Sequence, residues 1–194
     1  MEQKLTYILA KSYELFNKYG IRSITMDDVC RELGISKKTL YDYIENKEDL
    51  VRKFVESDVK RREDNFLQIF NMKYNAIEEL FEVHKLIKQM IKEYNPSTEF
   101  DLKKYYPEIF KDIKNGKRQK MFEAVLNNLI KGKQEGLYRH ELDENIIAKL
   151  YVSRIESTCE NDIFTEEEYK SPAFINDIIV YHIRGVANKK GIDV

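Results

Sequence analysis

Apolar residues recur along most of this chain at the three- and four-residue spacing that is typical of amphipathic helices. In the first part of the chain this spacing predicts helices over 4–19, 26–33, 37–44 and 47–70, separated by glycines or capping residues. Seven glycines and three prolines among 194 residues leave few positions for tight turns. Long helices joined by short loops are therefore favoured over a sheet.

The same spacing continues to the end of the chain. The further predicted helices are a stripe from Ile77 to Tyr94, a short segment over 102–106, a helix from Pro107 that stops before Gly136, a helix over 143–159 and a last helix that begins at Ser171-Pro172. The sequence thus predicts an all-α fold.

Composition limits the classes of function. Charged residues make up 35% of the chain and hydrophobic residues 42%, and the formal net charge is -1. Because no global basic field is present, a nucleic-acid function has to rest on local placement of charge. No apolar run approaches the roughly 18 residues of a membrane span, and the first 16 residues lack the apolar core of a signal peptide. We therefore expect a cytoplasmic protein without a membrane segment.

Catalytic and metal-binding patterns are missing from the sequence. It contains no nucleophile–base pair, no metal-ligand spacing and no glycine-rich phosphate loop, which predicts that the protein is not an enzyme and needs no cofactor. Its two cysteines, Cys30 and Cys159, have no ligand spacing and are expected to be reduced thiols.

The most specific pattern lies between the second and third predicted helices. The small residue Cys30 is followed four positions later by Gly34, and Ser36 can cap a helix that places Leu40 inside. Two short helices that cross steeply need a small side chain at their contact and a residue in the turn that tolerates positive φ. This spacing predicts a helix-turn-helix whose second helix can enter a DNA major groove.

Outward residues of that second helix suit DNA. Lys37 and Lys38 can donate to guanine or phosphate, Tyr41 can donate to phosphate, and Asp42 can accept from cytosine. Taken alone, however, the spacing also fits a small helical hairpin with solvated lysines.

The run ITMDDVCRELGISKKTLYDYIENKEDL, residues 24–50, resembles the N-terminal domain of the TetR family of transcriptional regulators. Two positions depart from the family pattern, because Cys30 replaces the usual alanine and Ile44 stands where phenylalanine is common. The strong resemblance covers about the first quarter of the chain. Weaker similarity to the family's C-terminal domains is found in YYPEIF (105–110) and GLYRHELD (136–143).

The resemblance implies a three-helix DNA-binding domain over 1–46 and a larger helical domain over 47–194 for effector binding and dimerisation. It implies a homodimer, most often a repressor, which binds a palindromic operator and is released by a small molecule. By position, the DNA-facing residues are Thr25, Lys37, Lys38, Thr39, Tyr41, Asp42, Tyr43 and Lys47. The last two helices would form the dimer interface.

Three polar residues interrupt the apolar stripes of the C-terminal part. His84 fits either a satisfied core position or a ligand contact, whereas Arg154 and His182 are expected at the dimer interface. There Arg154 would pair across the two-fold axis with an acid such as Glu156 or Glu160. The predicted interface residues are Arg154, Ile178, His182 and Val186.

Aromatic residues are frequent in the same part of the chain. They fit an ordinary core, but some are expected to line a cavity for an apolar or aromatic effector. The predicted pocket residues are Phe66, Phe70, Phe81, His84, Tyr105 and Phe122.

A different class of function is also open. The first 50 residues carry eight Lys and Arg against nine Asp and Glu, which is also consistent with a helical scaffold or partner-binding protein that does not read DNA.

Overall fold

The computed structural model describes residues 2–92, 95–160, 163–165, 167–168 and 171–194. They form the helices α1 (Glu2–Tyr19), α2 (Met26–Leu33), α3 (Lys37–Tyr41), α4 (Lys47–Phe70), α5 (Ala76–Lys92), α6 (Pro96–Tyr105), α7 (Pro107–Gln134), α8 (Glu144–Glu160), α9 (Pro172–Val186) and α10 (Lys189–Ile192). Over these ranges the chain has no β-strand, and an isolated antiparallel bridge joins Tyr138 to Ala187. The predicted all-α fold is confirmed.

Two predicted helix boundaries differ from the structure by three or more residues. Helix α3 ends at Tyr41 and not at Ile44, because Asp42 caps it and the Tyr43 N–H donates to the Leu40 carbonyl in a tighter turn (3.0 Å). Helix α6 already begins at Pro96, where the Asn95 side chain accepts from the Ser97 N–H (2.9 Å). The sequence predicted only the last part of α6, since its apolar periodicity is weak.

The chain divides into two compact units. The head unit comprises residues 1–64 and 94–114, and the C-terminal unit comprises 65–93 and 115–194, so that α4 and α7 each contribute residues to both. The boundary that the sequence predicts between residues 46 and 47 is a division by function and stays a prediction.

The head unit has its own apolar core. Phe16, Leu40 and Leu50 are fully buried, and the Phe16 ring meets the edge of Phe54 with centroids 5.3 Å apart. Leu102 of α6 and Ile109 of α7 belong to the same core. The three N-terminal helices are thus packed together with α4, α6 and the first turns of α7.

The C-terminal unit contains a polar network inside its core. The Asn128 amide nitrogen donates to the Ala76 carbonyl (2.9 Å) and to a Glu79 carboxylate oxygen (2.8 Å), and the Tyr138 hydroxyl donates to the Asn128 amide oxygen (2.9 Å). Lys131 pairs with Glu79 at 2.6 Å. A β-carbon at Gly132 would lie 2.1 Å from the Tyr138 ring, so that glycine is required for this packing.

Candidate functional site

Local hydrogen bonds build the α2–turn–α3 segment. The Thr25 hydroxyl accepts from the Asp28 N–H (3.1 Å) and the Asp28 carboxylate accepts from the Thr25 N–H (2.9 Å), which is a complete capping box. At the other end of α2, Gly34 is left-handed with φ 62°, and the N–H of Ile35 donates to the Cys30 carbonyl (3.0 Å). The cap and the glycine therefore place α3 across α2 as the sequence predicts.

Helix α3 has one buried face and one open face. The Ser36 hydroxyl caps it by accepting from the Thr39 N–H (3.1 Å), and Leu40 is completely buried. Lys38, Tyr41 and Asp42 are exposed, with 48% of Tyr41 accessible. These side chains form the part of the predicted DNA-facing set that is open to solvent.

Lys37 is exposed as well, but it is engaged. Its ammonium lies 2.8 Å from a carboxylate oxygen of Asp27 on α2, and this hydrogen bond and charge raise the pKa of Lys37. No sequence pattern pointed to this pair, which joins the first turn of α2 to the first residue of α3.

Other predicted DNA-facing residues have structural contacts in the head unit. The Thr25 hydroxyl donates to the Asp28 carboxylate (2.6 Å), and the Thr39 hydroxyl shares a hydrogen bond with Ser36 (2.9 Å). Tyr43 is half-buried against the head core. Thr25, Thr39 and Tyr43 thus differ from the open residues of α3 in having contacts within the protein. Their contribution to DNA binding stays a prediction.

Lys47, at the start of α4, faces the loop between α1 and α2. Its ammonium donates to the Arg22 carbonyl (3.2 Å), and partial burial lowers the pKa of Lys47 against the opposing charge of Asp101. A phosphate contact by Lys47 would require this bond to be exchanged.

Helix α6 forms hydrogen bonds with the same loop between α1 and α2. The buried Asp101 carboxylate accepts from the Arg22 N–H (2.8 Å), and a β-carbon at Gly20 would lie only 3.1 Å from that carboxylate. The Arg22 guanidinium donates to the Tyr105 hydroxyl (2.7 Å) and lies 5.0 Å from its ring centre. No sequence motif pointed to this cluster, because about 80 residues separate its two halves.

Tyr105 is thus placed in the head unit, whereas the other five predicted pocket residues belong to the C-terminal unit. The Phe66 and Phe70 rings stack at 6.4 Å, Phe81 is 42% exposed, and Phe122 packs against the core. His84 is buried, which lowers its pKa, and its Nε2 has no hydrogen-bond partner among the described residues. Their role as a pocket stays a prediction.

A surface groove of about 620 Å³ occurs elsewhere in the C-terminal unit. It is lined by Tyr138, Arg139, His140, Glu141, Ala187, Asn188, Lys189, Ile192 and Asp193. All six predicted pocket residues are described in the structure, and none of them lines this groove.

Helices α8 and α9 carry an apolar surface. Ile146, Leu150 and Tyr181 are 56%, 61% and 71% exposed, which is high for side chains of this type. Ile178 is half-buried beside them, whereas Val186, also predicted at the interface, is buried in the core of its own unit.

Two polar side chains with buried nitrogens lie at this surface, the half-buried Arg154 and the buried His182. The Arg154 guanidinium lies 5.2 Å from the ring centres of both Tyr151 and Tyr181, and its Nε and Nη2 have no hydrogen-bond partner within the described chain. His182 packs edge-on against Tyr151 at 4.6 Å, and its Nε2 likewise has no partner there. Burial, with a smaller effect of Arg154, lowers the pKa of His182 to about 4.

The pairing of Arg154 with an acid such as Glu156 or Glu160 across the two-fold axis stays a prediction. Glu156 accepts from Arg118 of the same chain (2.7 Å), and the side chain of Glu160 lies outside the described residues. Asp177 is exposed on α9, one turn before Tyr181.

The described residues lack both a metal-binding cluster and a membrane-spanning helix. That part of the chain holds no group of three or more His, Cys, Asp or Glu side chains arranged to bind a metal ion. It also contains no helix that is long and apolar enough to cross a bilayer.

Comparison with known proteins agrees with the helix-turn-helix geometry. Residues 8–54 match the family model described as bacterial regulatory proteins, tetR family. The chain is 23% identical over 187 residues to the uncharacterized HTH-type transcriptional regulator YvaF of Bacillus subtilis, an alignment that covers 96% of this chain and 97% of that protein.

Solved structures show the same fold. A transcriptional regulator from Cytophaga hutchinsonii superposes with a TM-score of 0.78 at 19% identity, covering 95% of this chain and 99% of that chain. A regulator from Saccharomonospora viridis, solved in complex with choline, gives a TM-score of 0.69 at 14% identity, with coverages of 97% and 100%.

Proposed function

We propose a function from the premise that this chain belongs to the TetR family of bacterial regulatory proteins. It is a ligand-responsive transcriptional regulator that binds a palindromic operator as a homodimer and represses until an effector releases it. The observation that carries the proposal is the α2–turn–α3 segment. Its cap and left-handed Gly34 hold a short helix with Leu40 buried and Lys38, Tyr41 and Asp42 open.

The open face supports direct contact with duplex DNA. In a helix-turn-helix the first residues of the second helix meet base edges, and lysine prefers the O6 and N7 acceptors of guanine. Lys37 and Lys38 occupy those positions, and Tyr41 follows one turn later with a phenolic donor for phosphate. A net charge of -1 for the chain means that these few groups, and not a broad basic surface, supply the attraction.

The α8–α9 surface supports a homodimer. Guanidinium nitrogens that are shielded from water need an anionic partner, and two such nitrogens of the half-buried Arg154, which lies against two tyrosine rings, are unpaired in the described chain. A second copy that covers Leu150 and Tyr181 would bury their apolar area and bring an acid to Arg154. Asp177 presents an exposed carboxylate on the same helix as Tyr181 and is the candidate for that acid.

The aromatic side chains of the C-terminal unit support an apolar or aromatic effector. Phe66 and Phe70 lie on α4, the helix that also carries Lys47 in the head unit, so one continuous helix contains both a proposed effector contact and a proposed DNA contact. An effector changes DNA affinity only through its different affinity for the two states of the protein. The choline complex of the Saccharomonospora regulator is consistent with a small organic molecule as the effector.

Selection of bound sequences from a pool of random duplex DNA tests the proposal. We expect a palindrome, with half-sites one turn of B-DNA apart, about 34–36 Å, or a multiple of it. Lys38→Ala should weaken binding to the selected duplex, whereas Lys60→Ala, at an exposed lysine of α4, is the matched control.

The second candidate, a helical partner-binding protein, is favoured only by the near-neutral charge of the first 50 residues. The dependence on salt separates the two functions. Binding through several phosphate contacts weakens steeply as salt rises, with a slope near -0.9 for each phosphate neutralised. A folded protein that selects no sequence and shows no salt-dependent binding to duplex DNA would support the partner-binding function.

A further inference from the structure

We propose that Asp27 is an internal competitor of DNA for Lys37. Its carboxylate occupies the place that a phosphate or guanine acceptor takes in the complex, and it thereby sets the DNA affinity below what the recognition helix alone would give. The inference rests on the proposed DNA-binding function and adds a residue that opposes binding.

The geometry connects the two helices of the motif. Asp27 is in the first turn of α2 and Lys37 is the first residue of α3, and their charged atoms are 2.8 Å apart. The side chains remain 63% exposed for Lys37 and 56% exposed for Asp27, so that a duplex approaching α3 meets both.

Capping of α2 does not require the Asp27 carboxylate. The capping box is formed by Thr25 and Asp28, whose side chains and backbone N–H groups satisfy each other. Asp27 is therefore free to act on Lys37, and its removal leaves the cap intact.

The chemistry of the pair makes it a competitor. A carboxylate accepts hydrogen bonds from an ammonium as a phosphate oxygen or guanine O6 does. Lys37 has to leave Asp27, or share its donors, before it binds DNA fully. Asp27 also adds a negative charge on a surface that faces phosphates.

The pair is exposed and therefore weak, so DNA can displace it. Exposed ion pairs change an equilibrium by roughly 1.5- to 5-fold. A homodimer presents two heads and incurs this cost twice, so removal of the Asp27 charge should tighten binding by about 10-fold, including some relief of repulsion.

Glu32 provides a matched control on the same helix. It is exposed like Asp27, but the raised pKa of Lys37 is due to Asp27, whereas the charge of Glu32 has a small effect on Lys11 and Lys18 of α1. Glu32→Gln thus removes one negative charge from the head without freeing a lysine of α3.

The test is a titration of labelled duplex DNA of random sequence, which needs no known operator. It is carried out at salt concentrations from about 50 to about 200 mM. The proteins are the full-length wild type, Asp27→Asn, Lys37→Ala, the double variant and Glu32→Gln, each checked by thermal unfolding. We expect Asp27→Asn to bind about 10-fold tighter than wild type and Glu32→Gln less than about 3-fold tighter. In the Lys37→Ala background the gain from Asp27→Asn should fall to that of Glu32→Gln.

Three results would overturn the inference. If Asp27→Asn gains no more than Glu32→Gln, or gains as much without Lys37, Asp27 acts only through total charge. If Asp27→Asn binds more weakly, Asp27 positions Lys37 for DNA. If no folded protein in the set binds duplex at any salt, the proposed function itself fails, which is a distinct outcome.

Discussion

Two regions of the C-terminal unit differ in whether their buried polar atoms have hydrogen-bond partners. Around Asn128, each described polar side chain of the network has a partner inside the unit: Glu79, Lys131 and Tyr138. At the α8–α9 surface, by contrast, the buried Nε and Nη2 of the half-buried Arg154 and the Nε2 of the buried His182 have no partner in the described chain. The first arrangement is complete in one copy, and the second is the arrangement expected of a surface whose partner is another molecule.

The largest expected effect comes from opening the complete network. Asn128→Ala removes two donors and one acceptor, leaving the buried Tyr138 hydroxyl and one Glu79 oxygen short of a partner. We expect the free energy of unfolding to fall by about 3–5 kcal/mol, from the unpaired groups together with the cavity. Urea unfolding measures it, with Asn127→Ala, the exposed neighbour, as control. A loss below about 1 kcal/mol would mean that the network is not closed as described.

The second prediction concerns the open surface. Leu150→Lys places a positive charge on the exposed apolar face, one turn from the unpaired Arg154 guanidinium. Because each copy would contribute the change, we expect the dimer dissociation constant to rise by at least about 100-fold, which is about 3 kcal/mol. Sedimentation velocity over a range of concentrations measures it.

Leu67→Lys is the matched control, since Leu67 is also exposed, at 53%, and lies on α4. If the two variants raise the dimer dissociation constant equally, the α8–α9 surface is not the dimer interface. If wild type is monomeric at all concentrations, the homodimer proposal fails as a whole.

The head unit could be predicted from the sequence more fully than these two regions of the C-terminal unit. The helices and the α2–turn–α3 segment followed from patterns within a few residues: apolar spacing, the Thr25 cap and the single residue, Gly34, that has to be left-handed. Such local signals do not depend on how distant parts of the chain meet.

The hydrogen-bond and ion-pair partners of the polar side chains could not be predicted in the same way. The contact of Asp101 with Arg22 joins residues about 80 positions apart, and Tyr105 follows Asp101 into the head unit for that reason. Within the chain, Arg118 of α7 binds Glu156, a contact that no sequence pattern predicted, and the pairing of Arg154 across the two-fold axis stays a prediction. An apolar stripe shows that a polar residue is buried, whereas its partner depends on the tertiary arrangement.

The third prediction tests the buried His182 by pH. The folded-state pKa is about 4 and the ordinary value is 6.5, so the unfolded chain takes up a proton first as pH falls. Stability that is present above pH 6.5 is therefore lost towards pH 4, by about 2 kcal/mol between pH 7.5 and 5.0.

Urea unfolding at the two pH values, at one protein concentration, measures this loss. His182→Phe should remove about 2 kcal/mol of the pH dependence. His140→Gln, which changes an exposed histidine, is the control. An unchanged difference in His182→Phe would show that His182 has a partner that holds its proton.

The smallest expected effect lies in the head unit, where α6 binds the loop between α1 and α2. Asp101→Asn keeps the shape of the side chain and an acceptor for the Arg22 N–H, but removes the charge, which should cost about 1–2 kcal/mol of unfolding free energy. Tyr105→Phe, which removes only the acceptor of the Arg22 side chain, should cost less than about 1 kcal/mol of unfolding free energy.

Because the Arg22 carbonyl also accepts from Lys47, loosening the loop frees the Lys47 ammonium as well. We therefore expect Asp101→Asn to lower stability while DNA affinity changes by less than about 3-fold, and a larger loss of affinity would make α6 part of the coupling between effector and DNA.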